Sequence, residues 1–228
     1  LRHFEKVINR EANSFGWKNH SILDSSFDLW LDGYQVGIPD RKVSIYTHGA
    51  LLNFCLDVML LENDSSLAQV MREMWKKFGK PFKGYTLEDF KSFIEQASQS
   101  PDLIQNFFER FVEGNEDVFP ILEEKLRLVG LTLIPSFSED LLLHQFGIRT
   151  DDSKQIIQIH PESQAYQFLI LGDQILDFDL PNGGNLHLKL LRKGRELEQT
   201  ILAESRSFFP VFKLKNESET TLQKAWRA

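Results

Sequence analysis

Cys55 is the only cysteine in this 228-residue chain, so no disulfide can form within it and no thiolate cluster can hold a metal. Histidine is sparse and scattered. His3, His20, His48, His144, His160 and His187 include no pair one helical turn apart, the His-Glu-x-x-His spacing that puts two imidazoles on one helix face. The chain also lacks the Gly-x-Ser-x-Gly turn of a serine-hydrolase nucleophile. Its longest apolar run, Ala50 to Leu61, is broken by Asn53 and Asp57 and falls short of the roughly 20 residues a membrane span needs. That run reads as a buried helix, with Cys55 an inert core thiol. A net charge of −7 argues against nucleic acid as a partner, since phosphate binding draws on clustered Lys and Arg. The chain opens Leu1-Arg2-His3-Phe4, with neither an initiator Met nor a signal-peptide pattern, and is expected to be a fragment. With one cysteine, its compartment stays open.

What is present divides in two. Phe4, Val7, Ile8, Ala12 and Phe15 recur at helical spacing, as do Leu67, Val70, Met71, Met74, Trp75 and Phe78 before Gly79. Thr86 followed by Glu88 and Asp89 predicts an N-cap with acidic residues in the first turn, opening a helix whose face carries Leu87, Phe90, Ile94 and Ala97. Ser100-Pro101 opens another, with Leu103, Ile104, Phe107, Phe108 and Phe111 inward and Gly114 as its stop. Beyond Gly130 the runs are short and β-type: 131–134, 156–159, 174–178 and 186–190. Pro181-Asn182-Gly183-Gly184 and Lys193-Gly194 predict tight turns, and 163–168 one short helix. The expected fold class is therefore α+β: an all-α domain over 1–118, a small β-rich domain over 119–212, and a polar tail over 213–228 with Leu222 and Trp226 as anchors.

Several segments, in order, carry a resemblance. Val43-Ser44-Ile45-Tyr46-Thr47-His48-Gly49-Ala50-Leu51 resembles the SYYTKGAL stretch of the glycyl aminopeptidase family of zinc metallopeptidases, distant relatives of aminopeptidase N. Ser26 to Trp30 resembles the family's SFDAW, Leu67 to Trp75 its LDDVMRALW, Gly84 to Phe90 its GYTEEDF, and Phe107 to Gly114 its DFFDRYVRG. Gln223 with Ala225-Trp226 is similar to the family's C-terminal Gln…Ala-Trp, so the resemblance covers nearly the whole chain.

The resemblance implies that Tyr46 is catalytic. It would stand where the family's tyrosine hydrogen-bonds the tetrahedral intermediate, a role suited to a phenol, which keeps its proton at neutral pH. The family's lysine two positions on is His48 here. Zinc would belong to the parent protein, held by residues upstream of this chain, which by itself is expected to bind no metal and to be inactive. Its partners would be a peptide or protein substrate and the upstream catalytic domain. The β-rich half resembles a PDZ domain of the kind appended to bacterial proteases. Ser163-Gln164-Ala165, Leu171-Gly172-Asp173-Gln174-Ile175 and Leu191-Arg192-Lys193-Gly194-Arg195 carry that likeness. Such domains bind an extended peptide on a sheet edge, which makes Phe146, Gly147 and Ile148 of the Gln145–Ile148 loop the peptide-binding candidates. With one glycine in that loop, peptide binding and a purely structural role both stay open. A non-catalytic, peptide-binding or scaffold protein is the alternative from another functional class.

Overall fold

A computed structural model describes residues 1–32, 40–181 and 184–227. It is mixed α+β, as the sequence implies, and separates into two compact units: Leu1–Ile134 with Lys213–Ala228, and Pro135–Phe212.

The first unit is built around one helix. In order come α1 (Arg2–Ala12), a single 3-10 turn (Gly16–Lys18), α2 (Ile22–Phe27), α3 (Leu29–Asp32), α4 (Thr47–Leu61), α5 (Leu67–Met74) and a π-type turn (Trp75–Gly79). Then follow α6 (Leu87–Ser98), α7 (Pro101–Phe111) and α8 (Phe119–Leu128). Helix α4 is apolar on nearly every side, Asn53 and Asp57 apart, and buries Leu51, Leu52, Phe54, Cys55, Leu56, Val58, Met59 and Leu60. A helix of that kind is stable only when neighbours cover most of its circumference. Helices α1, α5, α6 and α8 pack on it, and the buried Cys55 thiol is pushed up to about 12 by desolvation. The local signals are met where expected. Thr86 and Asp89 form a reciprocal capping box on α6, whose hydrogen bonds hold the Asp89 carboxyl below its ordinary range, and Pro101 opens α7.

The division between the units falls at 134/135 and 212/213, whereas composition alone places it near 118/119. Helix α8 lies between those positions. It buries Leu122 and Leu126, and its Lys125 reaches Glu62 at 2.9 Å just past the end of α4. The expected tail is likewise ordered: after β7 (Val211–Asn216) it forms α11 (Thr221–Arg227), which also packs on α4. The Trp226 ring lies 5.2 Å from Phe54 and 6.1 Å from Phe4. Gln223 is fully buried and donates to the Val129 carbonyl at the end of α8. Charged flanks disguise both elements in the sequence.

The chain passes between units through β1 (Leu131–Ser136) and β7, which pair with each other. The second unit contains α9 (Leu141–His144), β2 (Ile148–Thr150), β3 (Ile156–Ile159), α10 (Ala165–Phe168), β4 (Gln174–Asp179), β5 (Leu186–Arg192) and β6 (Arg195–Ile201). Strands β2 and β3 form one antiparallel pair, and β4-β5-β6 an antiparallel three-stranded sheet. Lys193 and Gly194 both take positive φ, the geometry of a two-residue hairpin turn, and Arg192 pairs with Arg195 across it. Asn182 and Gly183 of the other expected turn lie outside the described residues. Asp173 and Arg192, from separate motifs, grip one another: the guanidinium donates to both carboxylate oxygens at 2.8 and 2.7 Å, and to the Phe168 carbonyl at 2.9 Å. The Asp173 side chain is wholly buried while that of Arg192 is partly exposed. Removing the cation strands a buried carboxylate. Arg192→Ala is therefore expected to lower stability by about 3 kcal/mol, read from urea unfolding; a loss below about 0.5 kcal/mol would place the pair among ordinary surface ion pairs.

Candidate functional site

Tyr46 sits at the N-cap of α4, and its approach is fixed on both sides. Upstream, the Val43 amide donates to the Ser25 hydroxyl at 3.1 Å. The Gly16 backbone passes so close to the Lys42 carbonyl that a Cβ at Gly16 would fall 1.8 Å from its oxygen. Downstream, the Thr47 amide donates to the Ser44 hydroxyl at 3.2 Å and the His48 amide to the Ser44 carbonyl at 3.0 Å. Ser44 thereby does the capping, which leaves the Tyr46 side chain free of that task. The ring is 67% exposed, and among the described residues no hydrogen bond holds its hydroxyl.

Beneath the tyrosine lies a polar cluster that the periodicity of α1 did not reveal. Glu11, 1% exposed, projects from α1 on the same face as the buried Ile8. One carboxylate oxygen accepts from the Thr47 hydroxyl at 2.9 Å; the other meets His48 Nδ1 at 2.8 Å. A carboxylate only accepts, so the imidazole presents its Nδ1–H to it. Thr47 and His48 are themselves buried. One carboxylate thus ties two consecutive residues in the first turn of α4 to α1, next to Tyr46. The signal in the sequence was a lone acidic residue set among Phe4, Ile8 and Phe15. The His48 ring is turned inward to Glu11 and lies below the surface.

The other candidates lie in the second unit. Phe146 and Ile148 are buried in its core with Ile156, Ile159, Leu169 and Ile175. Gly147 has φ +66°, and its carbonyl accepts from the His160 amide at 2.8 Å. A Cβ there would fall 2.9 Å from the Cβ atoms of His160 and Ser163 and 3.2 Å from Phe208 Cγ. The Phe208 amide donates to the His144 carbonyl at 2.7 Å, and His160 packs against the rings of Phe208 and Phe209 at 4.9 and 5.3 Å. The face of Gly147 is therefore already occupied by the chain's own 207–210 segment.

Among the described residues no three His, Cys, Asp or Glu side chains gather as a metal site. His144 Nδ1 lies 3.0 Å from the Asp140 carbonyl and His187 Nδ1 3.0 Å from the Thr200 hydroxyl. The described residues do not fit a zinc ion.

Residues 1–52 match the family model described as M61 glycyl aminopeptidase, a stretch containing Glu11, Tyr46, Thr47 and His48. No curated protein matches. A crystal structure of an aminopeptidase N family protein from Idiomarina loihiensis superposes with a TM-score of 0.78 at 22% identity over 99% of this chain. The match covers 43% of that protein, so the chain spans less than half the length of the solved structure it matches there. The structural match establishes the fold, and the family-model match over residues 1–52 relates this chain to the M61 glycyl aminopeptidases.

Proposed function

We propose that this chain is the C-terminal part of a zinc-dependent, aminopeptidase-like metallopeptidase, with Tyr46 supplying the donor that stabilises the oxyanion of peptide hydrolysis. The zinc would be held by residues outside the chain. The observation that carries the reading is the state of Tyr46: an exposed phenol, with no hydrogen bond to its hydroxyl among the described residues, on backbone anchored by Ser25, Ser44 and, one residue on, Glu11. A donor held in place before the reaction contributes most where negative charge develops, because no reorganisation is needed at that moment. The hydroxyl would donate to the former carbonyl oxygen as it becomes anionic. Glu11 and His48 stay below the surface and touch no substrate.

We further propose that the second unit, PDZ-like by its sequence motifs, serves a structural role. Phe146 and Ile148 are spent on its core, and Phe208 covers Gly147, the glycine a terminal carboxylate would need.

Tyr46→Phe in the zinc-loaded parent enzyme removes a donor and almost no volume. It is expected to lower kcat about a hundred- to a thousandfold, equivalent to about 2.7–4 kcal/mol, with KM and the melting curve nearly unchanged. A kcat within a few-fold of wild type would remove Tyr46 from the catalytic set. For the second unit, a peptide array is expected to show no micromolar binding that depends on a free C-terminal carboxylate; binding abolished by amidating the peptide would restore the loop as a recognition site.

A further inference from the structure

The end of α5 and the loop after it leave an unusual surface. Between Arg72 and Tyr85 the chain carries Arg72, Lys76, Lys77, Lys80 and Lys83 against one carboxylate, Glu73, in a protein of net charge −7. Lys76 pairs with Glu73 at 2.6 Å, whereas Arg72, Lys80 and Lys83 make no ion pair among the described residues. Lys77 lies over the Phe78 and Phe93 rings at 5.2 and 5.0 Å and draws on Asp89, which is engaged in the α6 capping box.

Large apolar side chains are exposed among these cations. Phe82 is 96% exposed, Trp75 61%, and Met71 and Tyr85 are also in solvent. Phe82 holds this position at φ +54°, a conformation a bulky residue rarely adopts. The turn that presents it is closed by the Phe82 amide to the Gly79 carbonyl at 3.1 Å and the Lys83 amide to the Phe78 carbonyl at 2.9 Å. Trp75 is presented just as deliberately. The Lys80 amide donates back to its carbonyl at 2.9 Å in a π-type turn, and a Cβ on Gly79 would fall 2.1 Å from the indole. Only glycine lets the ring lie flat there. Met71, Met74, Trp75, Phe78 and Tyr85 also line an open apolar cleft of about 230 Å³.

An exposed phenylalanine at positive φ and an exposed indole, on a stretch that carries five cations and one carboxylate, suit a partner that is apolar beneath an anionic face. We propose that residues 71–85 form a docking surface for an anionic lipid bilayer, with Phe82 and Trp75 entering the interface and Lys76, Lys80 and Lys83 meeting the headgroups. Charge complementarity selects this patch over the chain's other exposed aromatics: Phe27 and Trp30 are equally exposed, but Asp24, Asp28 and Asp32 surround them in sequence.

The test is sedimentation of the purified protein with vesicles of phosphatidylcholine alone or mixed with phosphatidylglycerol. Binding is expected only to the mixed vesicles, and salt should release it once the screening length falls toward about 3 Å. Phe82→Asp should reduce partitioning about tenfold. Lys80→Glu with Lys83→Glu should reduce it roughly twentyfold or more, since each cation contributes about fivefold near an anionic surface. All three positions are exposed, so the melting curves should match wild type. No preference for anionic vesicles overturns the proposal, and so does anionic binding that neither variant weakens. A soluble, salt-sensitive complex with polyglutamate in the absence of vesicle binding overturns it in favour of an acidic protein partner.

Discussion

Burial of α4 constrains everything else in the helical unit. Its side chains are apolar nearly all round, so they must be enclosed, and enclosing them also carries the first turn of the helix out of water. Thr47 and His48 are polar and would each be costly to bury unpaired, on the order of 1–3 kcal/mol for each stranded group. Glu11 answers both with one carboxylate. The reverse is also true: a carboxylate 1% exposed is tolerable only because two donors converge on it. The clamp therefore ties α1 to α4 by mutual need, and Tyr46 lies at the point where the buried helix meets the surface.

That arrangement holds the backbone of Tyr46 while its ring stays exposed. The backbone around Tyr46 is held through Ser25 and Ser44 on one side and the Glu11 clamp on the other. In the second unit the same economy works differently. Asp173 and Arg192 join the turn after α10 to the β5–β6 hairpin, and Phe208 closes over Gly147, so the residues most like a peptide-binding loop are absorbed by packing.

Much of this was legible in the sequence because its signals are local. The capping box at Thr86, the proline at the head of α7, the Lys193-Gly194 turn and the apolar run of α4, interrupted only by Asn53 and Asp57, each depend on neighbours a few residues away. What escaped depends on distant partners. Glu11 on an apolar stripe reads as an exposed interruption until His48, 37 positions later, is seen to meet it. Helix α8 and strand β6, EKLRL and RELEQTI, carry charges that mask their buried Leu126 and Ile201. Met71 and Trp75 have the spacing of a buried face, yet the helix turns them outward, since periodicity marks a stripe without saying what covers it.

The Glu11 bridge, beyond general burial, holds the head of α4. A double-mutant cycle tests it most directly, with Glu11→Gln, His48→Gln and the pair compared by urea unfolding. Direct contact through the bridge should give a coupling energy of about 1–3 kcal/mol. A coupling within about 0.3 kcal/mol of zero, with the two losses simply adding, would show that the carboxylate and the imidazole lie side by side without either depending on the other.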